Sequence, residues 1–350
     1  MICIDDKNLE VHHGFRDTRW IAAEKNVVHD SDRTFSDEWQ YPANIIIYSG
    51  REESGMKKSS SIRKAAYPLW LVFPTAAIYT LFTVVPLIMS VFLSFTDWNI
   101  NRLNEPTFNG ITNYATVFGD PVFLRSIGNT LLYAVSTSFL KLLFGLILAL
   151  ALVKSTHINS VLRTLYYAPC VLSTTVIGVL FSSILAKYGL LNNFLSAIGL
   201  EVLTRDWLGS YGSAMTAIII LEGWMWAGFN MFILISGLQA IPKDYYEYAD
   251  IAGVDKWHQF TQITLPLLMP SFTVNLTLNI TGGLKVFDII YVLTNGGPGF
   301  DTQVISTYTY RSFGIGLLGE SCASSVILCV IVMVLTFIFN RYLTSKEVEA

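Results

Sequence analysis

Residues 127–153 read IGNTLLYAVSTSFLKLLFGLILALALV, with one charged side chain, Lys141, and no proline. As a helix rising ~1.5 Å per residue, this stretch reaches ~40 Å, more than the ~30 Å hydrocarbon layer of a bilayer. Hydrocarbon offers no partner to backbone N–H and C=O groups, and a helix pairs them within the segment itself. The stretch therefore reads as a transmembrane helix.

Working outward, the same character recurs at 68–96, 161–186, 213–238, 267–292 and 322–342, which makes six expected spans and an all-α polytopic membrane protein. Composition agrees. Of 350 residues only 14% are charged, against about a quarter in soluble domains, and 52% are hydrophobic. Mean hydropathy is +0.48. Such a chain has too little polar surface to cover one water-soluble core. The net charge of −3 and the lack of a large Lys/Arg block give no sign of a nucleic-acid partner. Cys170, Cys322 and Cys329 fall in apolar sequence without paired spacing, so they read as small buried hydrophobes rather than disulfide or metal ligands.

Residues 1–56 are different: polar, charged and without sustained period. They read as an N-terminal extension, either an upstream translation ahead of a start at Met56 or a small regulatory segment. Residues 57–350 form the six-span domain. Basic residues flanking the spans set orientation. Lys57, Lys58, Arg63, Lys64, Lys154, Arg163, Lys243, Lys256, Arg341 and Lys346 fall on one side, and Arg102, Arg125, Lys187, Arg205 and Arg311 on the other. The richer side is expected to be cytoplasmic, together with both termini and the 239–266 loop. Trp70, Trp98 and Trp207 lie near span ends, where an interfacial aromatic belt belongs.

The 239–266 loop carries most information. Pro242 suits a helix start, and Asp244 and Glu247 suit the positive end of its dipole. Gly253 fits a C-terminal break, after which Asp255 opens a second short helix presenting Trp257, Phe260 and Ile263. A short helix, a turn and another helix make a compact knob for a groove on a partner; an ordinary interfacial amphipathic helix is the plainer alternative. The run Glu247-x-Ala249, three residues, Gly253, nine residues, Ile263-x-Leu265-Pro266 resembles the EAA signature of ABC-importer permeases, with Tyr248 in place of the first Ala. Gly237-Leu238-Gln239-Ala240-Ile241-Pro242, Leu284-Lys285-Val286-Phe287-Asp288 and Leu293-Thr294-Asn295-Gly296-Gly297-Pro298-Gly299 resemble binding-protein-dependent sugar permeases of the maltose type, over roughly 65–345.

That resemblance implies a type I ABC-importer permease fold and a loop whose Glu247, Ala249, Asp250, Gly253, Ile263, Leu265 and Pro266 couple to an ATPase. It implies a second permease subunit, two cytoplasmic ATPase subunits, an extracytoplasmic solute-binding protein and a location in the plasma membrane. ATP and Mg would be used by the ATPases, with no cofactor on this chain. The chain indeed has no GxxxxGK[ST]. The outer loops 97–126 and 293–321 would meet the binding protein.

Glu222, Trp226, Phe229 and Asn230 recur at i, i+4, i+7 and i+8 inside the fourth span. A carboxylate beside aromatic faces suits a saccharide. By the same resemblance, Gly283 and Val286 would complete a midplane site. Helix packing is the alternative, with Glu222 paired to Lys141 or Lys285. Asn275 and Asn279 read as interhelical hydrogen-bond donors, and Lys285 and Asp288 as a local ion pair. The expected function is ATP-driven sugar import without chemistry on this chain. A non-sugar cargo and an ion-coupled secondary transporter are the alternatives. An intramembrane enzyme would need an acid/base pair or a motif such as HExxH, which is absent. Gly314-x-Gly316-x-x-Gly319 follows no strand, and His12-His13 has no companion ligands.

Overall fold

A computed structural model describes residues 72–210 and 212–345. The extension expected over 1–56, Trp70 and the start of the first span lie outside the described residues. The chain runs through α1 (Val72–Leu93), a two-stranded antiparallel hairpin (β1 Thr96–Asp97, β2 Thr107–Phe108), α2 (Thr112–Gly119) and α3 (Pro121–Leu152). Then come α4 (His157–Val171), α5 (Thr174–Ile184), α6 (Leu190–Ala197), α7 (Ser213–Ala240) and α8 (Asp244–Ile251). The last are α9 (Lys256–Leu267), α10 (Met269–Leu284), α11 (Asp288–Leu293), α12 (Ile305–Gly314) and α13 (Leu318–Thr344). The hairpin is the one departure from all-α among the described residues.

Four described helices, α1, α3, α7 and α13, are long and apolar enough to cross a bilayer unbroken. The third and fifth expected spans are instead bent. Between α4 and α5 the axis turns by 91°, because Pro169 takes an N–H from the last turn of α4 and Leu172 is extended. Between α9 and α10 it turns by 63°, where Pro266 and Pro270 flank Leu268. The fifth span also stops early: α10 ends at Leu284 and Lys285–Phe287 is non-helical. In α1, Pro86 cannot donate to the preceding turn, and the turn before it widens so that the Val85 N–H reaches the Thr80 carbonyl.

The distribution of polarity is that of a protein dissolved in lipid. Phe73, Phe82, Phe92, Phe139, Met333 and Phe337 are exposed, whereas Thr130, Thr137, Ser138, Asn230, Asn275, Asn279 and Ser324 are buried. Water would favour the reverse. The chain is a multi-pass membrane protein. Two thiols expected inside, Cys170 and Cys322, are half-buried, but Cys329 is exposed on α13, where lipid is as acceptable to a thiol as the interior.

α3 and α7 form the central pair. One cluster joins Tyr133, Ile218, Met225, Ile289 and Ile290; a second joins Ala149, Leu152, Met231, Leu234 and Leu268. α4 crosses α7 at Gly228, where an added Cβ would stand 2.2 Å from the Tyr166 carbonyl oxygen. Backbone cannot yield as a side-chain tip can. Gly228→Ala is therefore expected to cost about 1–3 kcal/mol through overpacking, read as a lower unfolding midpoint in detergent; an unchanged midpoint would mean that the two helices do not approach this closely.

Candidate functional site

A cavity of about 330 Å³ opens at the break between α10 and α11, against the middle of α7. Its wall contains Glu222, Trp226 and Phe229 of α7, Lys141 of α3, Thr174 of α5, Asn279 and Gly282 of α10, and Lys285–Ile289. Lys141 Nζ lies 2.9 Å from Glu222 Oε1, with both side chains at most one-tenth exposed. The same ammonium stands 5.6 Å from the centre of the Trp226 ring, and Trp226 meets Phe229 edge to face. Burying two charges in hydrocarbon is costly unless they are paired, so this ion pair explains Lys141. The Tyr133 hydroxyl lies beside the Glu222 carboxylate, and Glu222 Oε2 and Tyr133 Oη, both fully buried, have no other partner among the described residues.

Of the expected lining residues, Glu222, Trp226, Phe229 and Val286 are in the wall; Asn230 and Gly283 are not. Asn230 is fully buried between helices. It donates to the Trp226 carbonyl (2.8 Å), and its side-chain oxygen accepts from Asn279 (2.5 Å) and its backbone carbonyl from Asn275 (3.2 Å). The interhelical role read for Asn275 and Asn279 is therefore present, with Asn230 as its third member. Gly283 faces α3, where a Cβ would meet Ala134 Cα at 2.8 Å. Its neighbour Gly282 turns to the cavity instead. Lys285 and Asp288 form no ion pair with each other among the described residues, against expectation. The chain breaks between them, which removes the helical i, i+3 spacing, and both side chains are exposed along the cavity. Sequence reasoning missed Gly282 and Phe287; the Gly282-Gly283 pair was the available sign that the helix ends there.

At the far end of α7, α8 and α9 form the expected helix–turn–helix. Gly253 has φ +73°. The Val254 N–H bonds the Ala249 carbonyl (2.9 Å) and the Gly253 N–H the Asp250 carbonyl (3.1 Å), so the helix closes in a Schellman motif. Asp250 then braces the two helices, accepting from Lys256 Nζ (2.8 Å) and Gln259 Nε2 (2.5 Å). Those hydrogen bonds, from Lys256 and then Gln259, hold the Asp250 carboxyl below its ordinary value. Asp255 caps α9, with its carboxyl held down by His258. Tyr246 Oη meets Thr264 Oγ1 at 3.0 Å.

Among the loop residues singled out by spacing, Glu247, Asp250 and Gly253 are exposed, Ala249 is buried, and Ile263, Leu265 and Pro266 are half-buried behind them. What the loop presents outward is apolar: Tyr248, Ile251 and Trp257 are 72%, 84% and 68% exposed. A rigid, braced knob tipped by aromatic and aliphatic side chains is suited to a groove on another protein.

Comparison with known proteins agrees with this arrangement. Residues 141–346 match the family model described as binding-protein-dependent transport system inner membrane component. The chain is 36% identical over 283 residues to the probable ABC transporter permease protein YurN of Bacillus subtilis (strain 168), covering 79% of this chain and 97% of that protein. It is 32% identical over 290 residues to the trehalose/maltose transport system permease protein MalF of Thermococcus litoralis, covering 83% and 97%. Among solved structures, it superimposes with TM-score 0.68 and 25% identity on a chain of the bacterial alginate ABC transporter in complex with alginate pentasaccharide-bound periplasmic protein, covering 78% and 93%. With both bent spans and the braced loop inside residues 141–346, this chain belongs to the family of inner-membrane components of binding-protein-dependent transport systems.

Proposed function

We propose that the chain is the permease subunit of an ATP-driven importer whose cargo is a saccharide. The observation that carries this reading is the cavity beside α7, whose wall joins the Glu222 carboxylate to the Trp226 and Phe229 rings. A carboxylate can accept hydrogen bonds from sugar hydroxyls, and the apolar C–H face of a pyranose suits an aromatic ring. The relatives that transport trehalose/maltose and alginate support the same class. The binding site changes its exposure as the helices move, and cargo can bias that cycle only by binding its two states differently.

In this reading α8 and α9 face the cytoplasm, as the basic flanks favour, and dock on one of two ATPase subunits that use ATP and Mg. This chain holds no cofactor and performs no chemistry. A solute-binding protein delivers cargo from the opposite side. Lys285 and Asp288, charged and exposed at membrane depth, need a polar surface over them; a second permease subunit supplies it.

In proteoliposomes holding the whole complex, sugar-loaded binding protein is expected to stimulate ATP hydrolysis, and Trp226→Ala to lower sugar uptake about tenfold, as loss of ~1.4 kcal/mol of contact would. Uptake that continues without ATP would refute the importer reading. The unpaired Lys285 and Asp288 favour a second reading, a zwitterionic solute such as an amino acid. Stimulation by amino-acid-loaded binding protein and not by any sugar would select it.

A further inference from the structure

A second cavity, of about 510 Å³, lies on another face of α7 from the Glu222 cavity, beside the exposed Ile220 and Trp224, with an entirely apolar lining that includes Phe144, Phe181, Leu185, Leu191, Leu221 and Trp224. It shares Trp207, Ala217 and Ile220 with a third cavity of about 680 Å³. That one is mixed, with Thr204, Ser210, Ser213 and Thr216 beside Val202 and the shared apolar residues, and with Arg205 its single charged residue. An apolar slot thus opens into a partly polar vestibule with a cation at its rim.

Three features identify the occupant. First, from Ser213 to Trp224 α7 rises ~16 Å, about half of a ~30 Å hydrocarbon layer, so slot and vestibule together are one leaflet deep. Second, Trp207 stands where they meet, donating to Asn192 Oδ1 at 2.9 Å, as an interfacial tryptophan does. Third, the Arg205 guanidinium lies 4.7 Å from the Trp207 ring centre and makes no ion pair among the described residues. Neighbouring Asp206 is turned away onto the Gly209 N–H. The side chain is therefore fixed by stacking while its donors stay available, in the planar fork that suits a phosphate.

We propose that this composite cavity is a binding site for an anionic phospholipid of the leaflet opposite α8 and α9, with an acyl chain in the slot and the phosphate on Arg205. The annular position would let membrane composition act on α5 and α7, two walls of the transport cavity, without touching the cargo.

The test uses the complete complex reconstituted in nanodiscs, with phosphatidylglycerol or phosphatidylcholine brominated on the acyl chain as the probe. Tryptophan quenching is expected to favour brominated phosphatidylglycerol about fivefold in relative affinity, the effect of one basic group near a membrane surface. Arg205→Gln should remove the preference, Arg205→Lys, which keeps the charge but not the stacked fork, should retain only part of it, and Ala217→Phe, which fills the slot, should reduce quenching by both lipids. Equal quenching by the two lipids in the unsubstituted protein overturns the proposal. So does a preference that survives Arg205→Gln, or cross-linking of Ile220→Cys to the second permease subunit in place of lipid.

Discussion

Gly253→Val is expected to lower ATP-driven uptake about 5- to 30-fold while leaving the binding protein's affinity for cargo unchanged. At φ +73° Gly253 is in the left-handed region, which costs an ordinary L-residue ~1–2 kcal/mol, and a β-branched residue is least suited to it. Each ~1.4 kcal/mol is tenfold in population. Among the described residues, no atom beyond its chain neighbours lies within 4 Å of an added Cβ, so the penalty acts through the backbone. The Schellman bonds to Ala249 and Asp250 open, and Tyr248, Ile251 and Trp257 lose their fixed relation to α9. A graded series separates two causes. If backbone conformation is the requirement, Gly253→Asn, which tolerates the left-handed region, should retain most of the uptake, and Gly253→Ala should fall between. If asparagine fails as badly as valine, the ATPase approaches too closely for any Cβ. Unimpaired uptake in the valine variant would remove the coupling assignment altogether. Uptake by the assembled complex, alongside binding-protein titration with cargo, reads all of these outcomes.

How much could be read beforehand depended on whether the information was local. Apolar runs such as 127–153 and 213–238 are self-sufficient, because length and hydropathy alone decide that they cross a bilayer. The bends were not legible. Pro169 and the Pro266/Pro270 pair mark places where helices can break, yet neither the 91° angle nor the close approach of the Tyr166 backbone to Gly228 of a different helix can be read from them. The same limit governs the site. Glu222, Trp226 and Phe229 fall within ~60° of one another on α7 at ~100° per residue, so one face carries all three. Asn230 is rotated ~80° from Glu222 on that count, enough to face α10, where Asn275 and Asn279 bind it. Similarly, Gly282 and Gly283 differ by one residue and so by ~100°; which of them meets the cavity depends on where α10 packs against Ala134. The role of Lys141 required knowing that α3 and α7 are neighbours. By contrast, the Gly253 break and the Asp255 cap are properties of five or six consecutive residues, and the structure has both where the sequence places them.

The Lys141–Glu222 pair supports the largest energetic prediction. Either single change, Lys141→Met or Glu222→Leu, leaves its partner charged and buried without compensation, at a cost of about 3–5 kcal/mol. Both single variants should therefore assemble poorly and melt early in detergent. The double variant removes both charges and fills the space with apolar side chains. Such replacements are often neutral or stabilising by ~1–4 kcal/mol, so its melting point and its yield of assembled complex should return near those of the parent. Uptake is the decisive readout. If Glu222 serves only to neutralise Lys141, the stable double variant should transport normally, and Glu222 has no place in cargo binding. If the Glu222 carboxylate accepts a hydrogen bond from cargo, the double variant should be well folded yet lose uptake by a factor of ten or more, since hydrogen bonds to charged groups contribute ~1.5–3 kcal/mol. Glu222→Gln sharpens the distinction. It keeps the shape and one acceptor but removes the charge that Lys141 requires, so it should lose stability more than cargo recognition. A stability deficit and a transport deficit that appear in different variants separate the pairing of Glu222 with Lys141 from its contact with cargo.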